Sequence, residues 1–294
     1  MITQLLAQVI VSGLAIGSCY ALIALAMVII YKTSEVLNFA QGEMAMVSTF
    51  LAYSLLSTYN IPFLIVFPLT LIFSLVLGMI FEFAFIRPAK NPTLLGLIVI
   101  TLGAEMILYG FAGWKWGAET KSFPSPILDT KVYNLKGVII SQLNLWIFAV
   151  CICLMLILFL FFRYSKLGIA MKATAQNYKA ARLMGIRPKR VLSFTWGLSS
   201  MIGAVAGVLI APITLLDPNM MIDPLLKAFA SAVLGGMTSL PGAALGGWIL
   251  GVIENLFGWY ISTEFKSVVA FAIIVIVLCV RPSGLLSRHY VKKV

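Results

Sequence analysis

Apolar residues are gathered into blocks of helical length instead of alternating with polar ones. The blocks occupy 5–31, 38–57, 61–82, 93–114, 143–162, 191–212, 224–240, 241–261 and 266–280. A helix crossing a bilayer needs about 20 mostly apolar residues, whereas membrane-barrel strands show about ten residues of alternating character. The pattern predicts an all-α polytopic membrane protein with 8–9 transmembrane helices. Many blocks are broken by Gly13, Gly17, Pro68, Gly78, Gly103, Gly110, Gly203, Gly207, Gly235-Gly236 or Pro241-Gly242. Small residues let membrane helices approach closely, so most of these glycines read as packing positions.

Composition removes the alternatives. Of 294 residues, 61% are apolar and 11% charged, with a mean hydropathy of +1.04. Soluble domains carry about a quarter charged residues, so neither an ordinary globular protein nor a disordered one fits. The net charge of +11 is not spread as a nucleic-acid surface. Eight of the 21 Lys and Arg lie between Arg163 and Arg190, and four more from Arg281 onward. Such clusters beside apolar blocks mark cytoplasmic segments. Cys19, Cys151, Cys153 and Cys279 all fall in apolar blocks, so neither a disulfide framework nor a zinc site is expected. The first block lacks a basic leader and is too long for a cleaved signal, so it reads as a retained span.

With 163–190 in the cytoplasm, the 191–212 block exits and the stretch from Pro212 to Asp223 lies outside. Three further crossings return the basic tail to the inside. Counting backwards places Arg87 to Lys90 inside, 115–142 outside, Lys32 to Leu37 inside and the N-terminus outside. The loop 115–142 fits least well, with Lys115, Lys121, Lys131 and Lys136 against Glu119 and Asp129. Nine crossings satisfy the parity; with eight, 38–48 or 224–240 becomes re-entrant. A weak repeat at an offset of 190 aligns Gly13 and Gly17 with Gly203 and Gly207, and Phe39-Ala40 with Phe229-Ala230. Two such units of opposite direction make inverted repeats with broken helices, whose interface commonly holds a transport site.

Asn38-Phe-Ala-Gln-Gly42-Glu43-Met puts an acid at the head of an apolar block, where charge costs roughly 2.5–3.5 kcal/mol at a helix centre. Asn38 is expected as an N-cap and Gly42 as an irregular turn. The free N–H groups of a broken helix would then hold a carboxylate ligand, or Glu43 itself. The plainer reading makes Glu43 a helix-end group. The repeat-related stretch runs from Lys227 through Ser231, Gly235, Gly236, Thr238 and Ser239 to Pro241-Gly242. Interrupted backbone at membrane depth must line a cavity or be buried in protein; a substrate cavity is the expectation here, and a tight helix crossing the plainer reading. Glu105 and Glu254 are each read as a transport group or a helix-to-helix hydrogen bond, and Glu82 as the ion-pair partner of Arg87.

Within 163–190, Asn177 is expected to cap a short helix from Tyr178 to Met184 that Gly185 ends, with Pro188 three residues beyond. Gly168 to Ala175 is also helix-compatible. Two turns of helix are marginal alone, so this segment needs a docking partner. Lys172, Lys179 and Arg182 would offer positive charge to an acidic groove or to lipid headgroups; a solvated basic loop is the plainer reading. No P-loop, nucleophile elbow or zinc-protease motif occurs, and His289 is the only histidine. No cofactor is expected.

Taken together, these residues resemble the permease subunits of branched-chain amino acid ABC importers, the LivH type. The likeness rests on Gly13-x-x-x-Gly17-x-x-Tyr20-Ala-Leu22, Asn38-Phe-Ala-Gln-Gly42-Glu43-Met, Glu82-x-x-x-x-Arg87-Pro88 and Ile100-Thr101-Leu102-Gly103. It continues through Ala180-Ala181-Arg182-Leu183-Met184-Gly185-Ile186, Leu234-Gly235-Gly236-Met-Thr-Ser239-Leu-Pro241-Gly242-Ala243, Ile253-Glu254 and Arg281-Pro282-Ser283-Gly284-Leu285-Leu286. The resemblance implies one permease domain over 1–294, with 163–190 as its cytoplasmic coupling loop, in a bacterial or archaeal plasma (inner) membrane. It implies ATPase coupling through Lys179, Ala180, Ala181, Arg182 and Gly185, although Lys179 stands where the general importer pattern has an acid. Implied partners are membrane lipid, two cytoplasmic ATP-binding subunits, a second and different permease chain, and an extracytoplasmic solute-binding protein. Nucleic acid is not among them.

On this reading solute passes Asn38, Gly42, Glu43, Ser231, Gly235, Gly236, Thr238 and Ser239, and ATP hydrolysis resides on the partners, so the chain is not an enzyme. An ABC permease for urea or short amides, and an ion-coupled carrier using Glu43, Glu105 or Glu254, stay open beside it. An intramembrane enzyme or a scaffold is the third class.

Overall fold

The computed structural model describes residues 2–89, 93–124, 132–135, 138–281 and 284–286. Lys90, Asp129, Lys131, Lys136, Pro282-Ser283 and the basic tail with His289 lie outside the described residues, as do the expectations placed on them. Every apolar block becomes a helix: α1 Ile2–Ser34, α2 Gln41–Ser57, α3 Phe63–Phe81, α4 Leu94–Trp116, α5 Gln142–Tyr164, α8 Pro188–Thr214, α9 Ile222–Gly235, α10 Leu240–Tyr260 and α11 Lys266–Val280. Two further helices, α6 Lys166–Gln176 and α7 Tyr178–Leu183, fill the basic segment between α5 and α8. Among the described residues, α1, α4, α5, α8, α10 and α3 with its continuation to Ile86 are long and apolar enough to cross a bilayer. At 17, 14 and 15 residues, α2, α9 and α11 fall short of the usual length.

The loop 115–142 departs from the all-α expectation. It carries a small antiparallel hairpin, β1 Val132–Leu135 and β2 Val138–Ser141, with Val132 opposite Ser141. Val-Tyr-Asn-Leu and Val-Ile-Ile-Ser are β-prone tetrads too short to register beside blocks of 20 apolar residues.

The chain separates into two compact units. One holds the described residues through Val28, those from Val132 to Cys151 and those from Asp223 on; the other holds the described residues of Ile29–Pro126 and Ile152–Ile222. In the first, α1 and α10 touch backbone to backbone. A Cβ at Gly13 would lie 2.8 Å from the Val252 Cα, and one at Gly17 3.0 Å from the Trp248 Cα. Trp248 Nε1 donates to Ser18 Oγ at 2.9 Å beside this crossing. Tyr20, Ala230, Leu250 and Ala270 form the buried cluster joining α1 with α9, α10 and α11.

In the second unit α8 plays the part of α1. Its Gly203 and Gly207 sit against Gln41, Ala45 and Thr49 of α2, and its Trp196 and Gly197 against Gly78 and Leu75 of α3. Ser74 Oγ and Ser200 Oγ are 2.8 Å apart across the same crossing. Trp196 is fully buried, stacks on Phe81 at 5.3 Å and packs with Ala40, Met44 and Ala104. Each unit therefore sets a Gly-x-x-x-Gly helix from one half of the chain against consecutive helices from the other half.

The α3–α8 crossing predicts a difference between two glycines. A Cβ at Gly78 would collide with the Trp196 carbonyl, whereas one at Gly103 meets nothing within 4 Å. Gly78→Ala is expected to cost about 1–3 kcal/mol through overpacking, and Gly103→Ala to be neutral or slightly stabilising. Melting temperatures of the two variants in detergent check this.

Candidate functional site

The second unit holds two of the segments singled out by sequence, the head of α2 and the α6–α7 elbow. α2 begins at Gln41 with Ala40 as its cap residue, and no side chain caps it. Asn38 is thus not the N-cap, and Gly42 is an ordinary buried helical position rather than an irregular turn. The intervening Phe39-Ala40 turn leaves Asn38 two residues ahead of the cap position at Ala40. Its side chain turns instead onto α2, with Nδ2 donating to Gln41 Oε1 at 3.2 Å and to Met44 Sδ at 3.6 Å. Glu43, in the first turn, supplies the negative group that the helix dipole favours and hydrogen-bonds its own backbone N–H.

Gln41 is the residue that sequence reasoning passed over. Its Nε2 donates to the Ser199 carbonyl at 3.2 Å, and Ser199 Oγ donates to its Oε1 at 3.0 Å, tying α2 to α8. The signal was available, because an offset of 190 pairs Gln41 with Ser231. Two acceptors remain here. Asn38 Oδ1 and Glu43 Oε2 find no hydrogen-bond donor among the described residues, although the residues are only 1% and 3% exposed. The charge that acts on Glu43 is a second acid, Glu105 of α4. The head of α2 is therefore rich in buried acceptors.

At the far end of α3, the segment Glu82–Ile86 widens into a π-helical turn, which brings residues five apart onto one face. Arg87 Nη2 lies 2.9 Å from Glu82 Oε2 and 2.6 Å from Ser193 Oγ, and Ser193 Oγ donates to the same carboxylate oxygen at 2.5 Å. The expected pair therefore exists and also anchors the start of α8.

The elbow follows its capping signals. Ser165 Oγ accepts from the Gly168 N–H at 3.2 Å to start α6, and Gly168 lies against the α5 backbone at Phe161-Phe162, where any side chain would collide. Asn177 Oδ1 accepts from the Ala180 N–H at 2.9 Å to start α7. Gly185, at φ +82°, closes it, with the Ile186 N–H donating back to the Ala181 carbonyl at 3.1 Å. Lys179, Ala180, Arg182 and Gly185 are exposed, but Ala181 is 4% exposed and seats the helix instead of forming its outer surface. Leu183 and Met184, not singled out by sequence, project outward at 88% and 82% exposure. An apolar pair at the end of a short helix within a basic loop was the clue.

In the first unit, the break between α9 and α10 is a tight crossing. Gly235 and Gly242 leave no room for each other's side chains, and Gly236 turns the chain at φ +105° against Gly284. The hydroxyls are engaged locally: Ser231 Oγ donates to the Lys227 carbonyl at 2.7 Å, and Ser239 Oγ caps α10 from the Gly242 N–H at 3.1 Å. Thr238 lies in the turn itself. Deeper in this unit, Lys227 Nζ lies 2.5 Å from Glu254 Oε1 and 2.6 Å from Asp223 Oδ2, with the Tyr20 ring 5.6 Å away. Glu254 thus makes the helix-to-helix bond considered for it, to a lysine 27 residues earlier.

Residues 9–278 match the family described as the branched-chain amino acid transport system permease component. The chain belongs to this permease family. It is 34% identical to the high-affinity branched-chain amino acid transport system permease protein LivH of Salmonella typhimurium, over 96% of each chain. It is 31% identical to the corresponding protein BraD of Pseudomonas aeruginosa, over 98% of this chain and 97% of BraD. A probable LivH of Methanocaldococcus jannaschii is 28% identical over 90% and 87%. A chain of the solved PsaBC complex with Fab from Streptococcus pneumoniae shares the fold, with a TM-score of 0.52 at 11% identity over 94% of this chain and 92% of that one. The permease is thus a multi-pass membrane transport component and not an enzyme.

Proposed function

We propose that this permease is the translocation subunit of an ATP-driven ABC importer for branched-chain and other hydrophobic amino acids. It receives solute from an extracytoplasmic binding protein, works beside a second, different permease chain, and is moved by two cytoplasmic ATP-binding subunits. The names of the relatives support the solute class over urea or short amides, and over an ion-coupled carrier. The protein lies in a bacterial or archaeal plasma membrane with its N-terminus outside and its C-terminus inside. In this scheme α2, α9 and α11 make the short or re-entrant passes, and the stretches beginning at Gly13 and at Gly203 are the inverted repeats of one permease domain.

The observation that carries the reading is α7. A helix of six residues is marginal in water, yet here it is capped at both ends and turns two large apolar side chains outward. Such a tip is suited to a complementary cleft on a moving partner. Lys179, Ala180, Arg182 and Gly185 flank it, and Gly168 and Ala181 fix it to the body of its unit. Solute passes the polar head of α2 at Asn38, Gly42 and Glu43, while Ser231, Gly235, Gly236, Thr238 and Ser239 belong to the tight α9–α10 crossing.

Replacing Leu183 and Met184 together by Ser tests the coupling. In proteoliposomes of the complete importer, ATP-driven uptake is expected to fall about fivefold, with insertion and melting temperature unchanged because neither residue is buried. Unaltered uptake removes α7 from the coupling path.

A further inference from the structure

The beginnings of α1 and α11 and the end of α10 leave a groove of about 230 Å³ in the first unit. It is not part of the proposed pathway. Gln8, Ser12, Asn255 and Thr263 supply polar groups, Trp259 an aromatic wall and Lys266 a cation. Asn255 is held in place by its bond to the Val9 carbonyl at 3.2 Å.

Three features define what this groove takes. Lys266 makes no ion pair among the described residues. Its stem lies over Gly258, where a Cβ would strike the Lys266 Cε, so the absence of a side chain there gives the lysine its path into the groove. It is also the first residue of α11, where the helix dipole adds positive potential. The neighbouring exposed aromatics Trp259 and Tyr260 are of the types that gather at the headgroup level of a bilayer. The groove is therefore cationic, furnished with neutral hydrogen-bonding groups, walled on one side by an apolar ring, and set where lipid phosphates lie.

We infer that the groove binds the phosphate headgroup of an anionic phospholipid. Lys266 pairs with the phosphodiester, the hydroxyls of Ser12 and Thr263 bond its oxygens or the headgroup polyol, and Trp259 packs on the start of an acyl chain. A retained lipid at this position seals the junction of three helix ends.

Native mass spectrometry of the full-length protein from detergent, incubated with dioleoyl phosphatidylglycerol, phosphatidylcholine or inorganic phosphate, tests this. One phosphatidylglycerol is expected to stay bound, with phosphatidylcholine retained several-fold less. Lys266→Gln is expected to lower phosphatidylglycerol retention about fivefold. So is Thr263→Asp, an exposed position where the added negative charge repels the headgroup without touching the fold. Lys115→Gln, in the other unit, leaves retention unchanged. Equal retention of both lipids, or wild-type retention by both groove variants, overturns the assignment. Binding of inorganic phosphate with no retained lipid overturns it too, reducing the groove to a simple anion site.

Discussion

Lys227→Met is expected to destabilise the protein by roughly 3–5 kcal/mol, the range for removing one partner of a buried ion pair. The lysine and Glu254 are both almost fully buried, and their Nζ–Oε1 contact joins α9 to α10. Without the lysine, the Glu254 carboxylate loses the ammonium that offsets its desolvation. The double variant Lys227→Met/Glu254→Leu is expected to recover most of the loss, because two apolar side chains replace the pair without leaving a charge behind. Asp223 is the partner that faces outward, with its side chain 54% exposed, so Asp223→Asn should cost no more than about 1 kcal/mol. Thermal melts of the three variants separate these outcomes. A single Lys227→Met variant melting like wild type would show that the pair holds nothing together.

Glu43→Gln is expected to lower ATP-driven uptake about tenfold while leaving stability unchanged or slightly raised. The amide is nearly isosteric, and its oxygen can keep the bond to the backbone N–H at the head of α2. What disappears is a buried carboxyl group with no cationic partner among the described residues, one that is costly to ionise in the resting protein. If the charge serves the passing ammonium group of an amino acid, activity falls and the fold gains. If Glu43 only satisfies the helix end, the signs reverse. Loss of its dipole interaction would then cost about 0.3–1 kcal/mol, with uptake retained. Uptake and melting temperature measured on one preparation decide between the two.

The helices were legible because membrane burial writes itself locally. Each apolar block became a helix, since a segment surrounded by lipid must satisfy its backbone within itself and present apolar side chains on most sides. The caps of the second elbow helix were equally local: Asn177 and Gly185 act on N–H and C=O groups within four residues of themselves, while the Ser165 cap of α6 went unread. The head of α2 was read less well. A cap at Asn38 and a turn at Gly42 were both reasonable from residue type, but a helix start two residues later than a cap at Asn38 requires moved each into another role. Sequence reasoning also could not tell touching glycines from unopposed ones, because Gly235 and Gly103 look alike until their neighbours are known.

By itself, the sequence determined the membrane class, the helical blocks, the position of the basic elbow and the family, all of which depend on the order and spacing of residues along one dimension. Only the tertiary structure decided that Lys227 neutralises Glu254, that Gln41 bridges to Ser199, that Ala181 faces inward while Leu183 and Met184 face out, and that a cationic groove forms at three helix ends. Each of these is a meeting or a facing of side chains set by how helices cross. Crossing is governed by where backbones can touch, as at Gly78 with Trp196 or Gly17 with Gly247, and no local pattern of hydropathy carries that information.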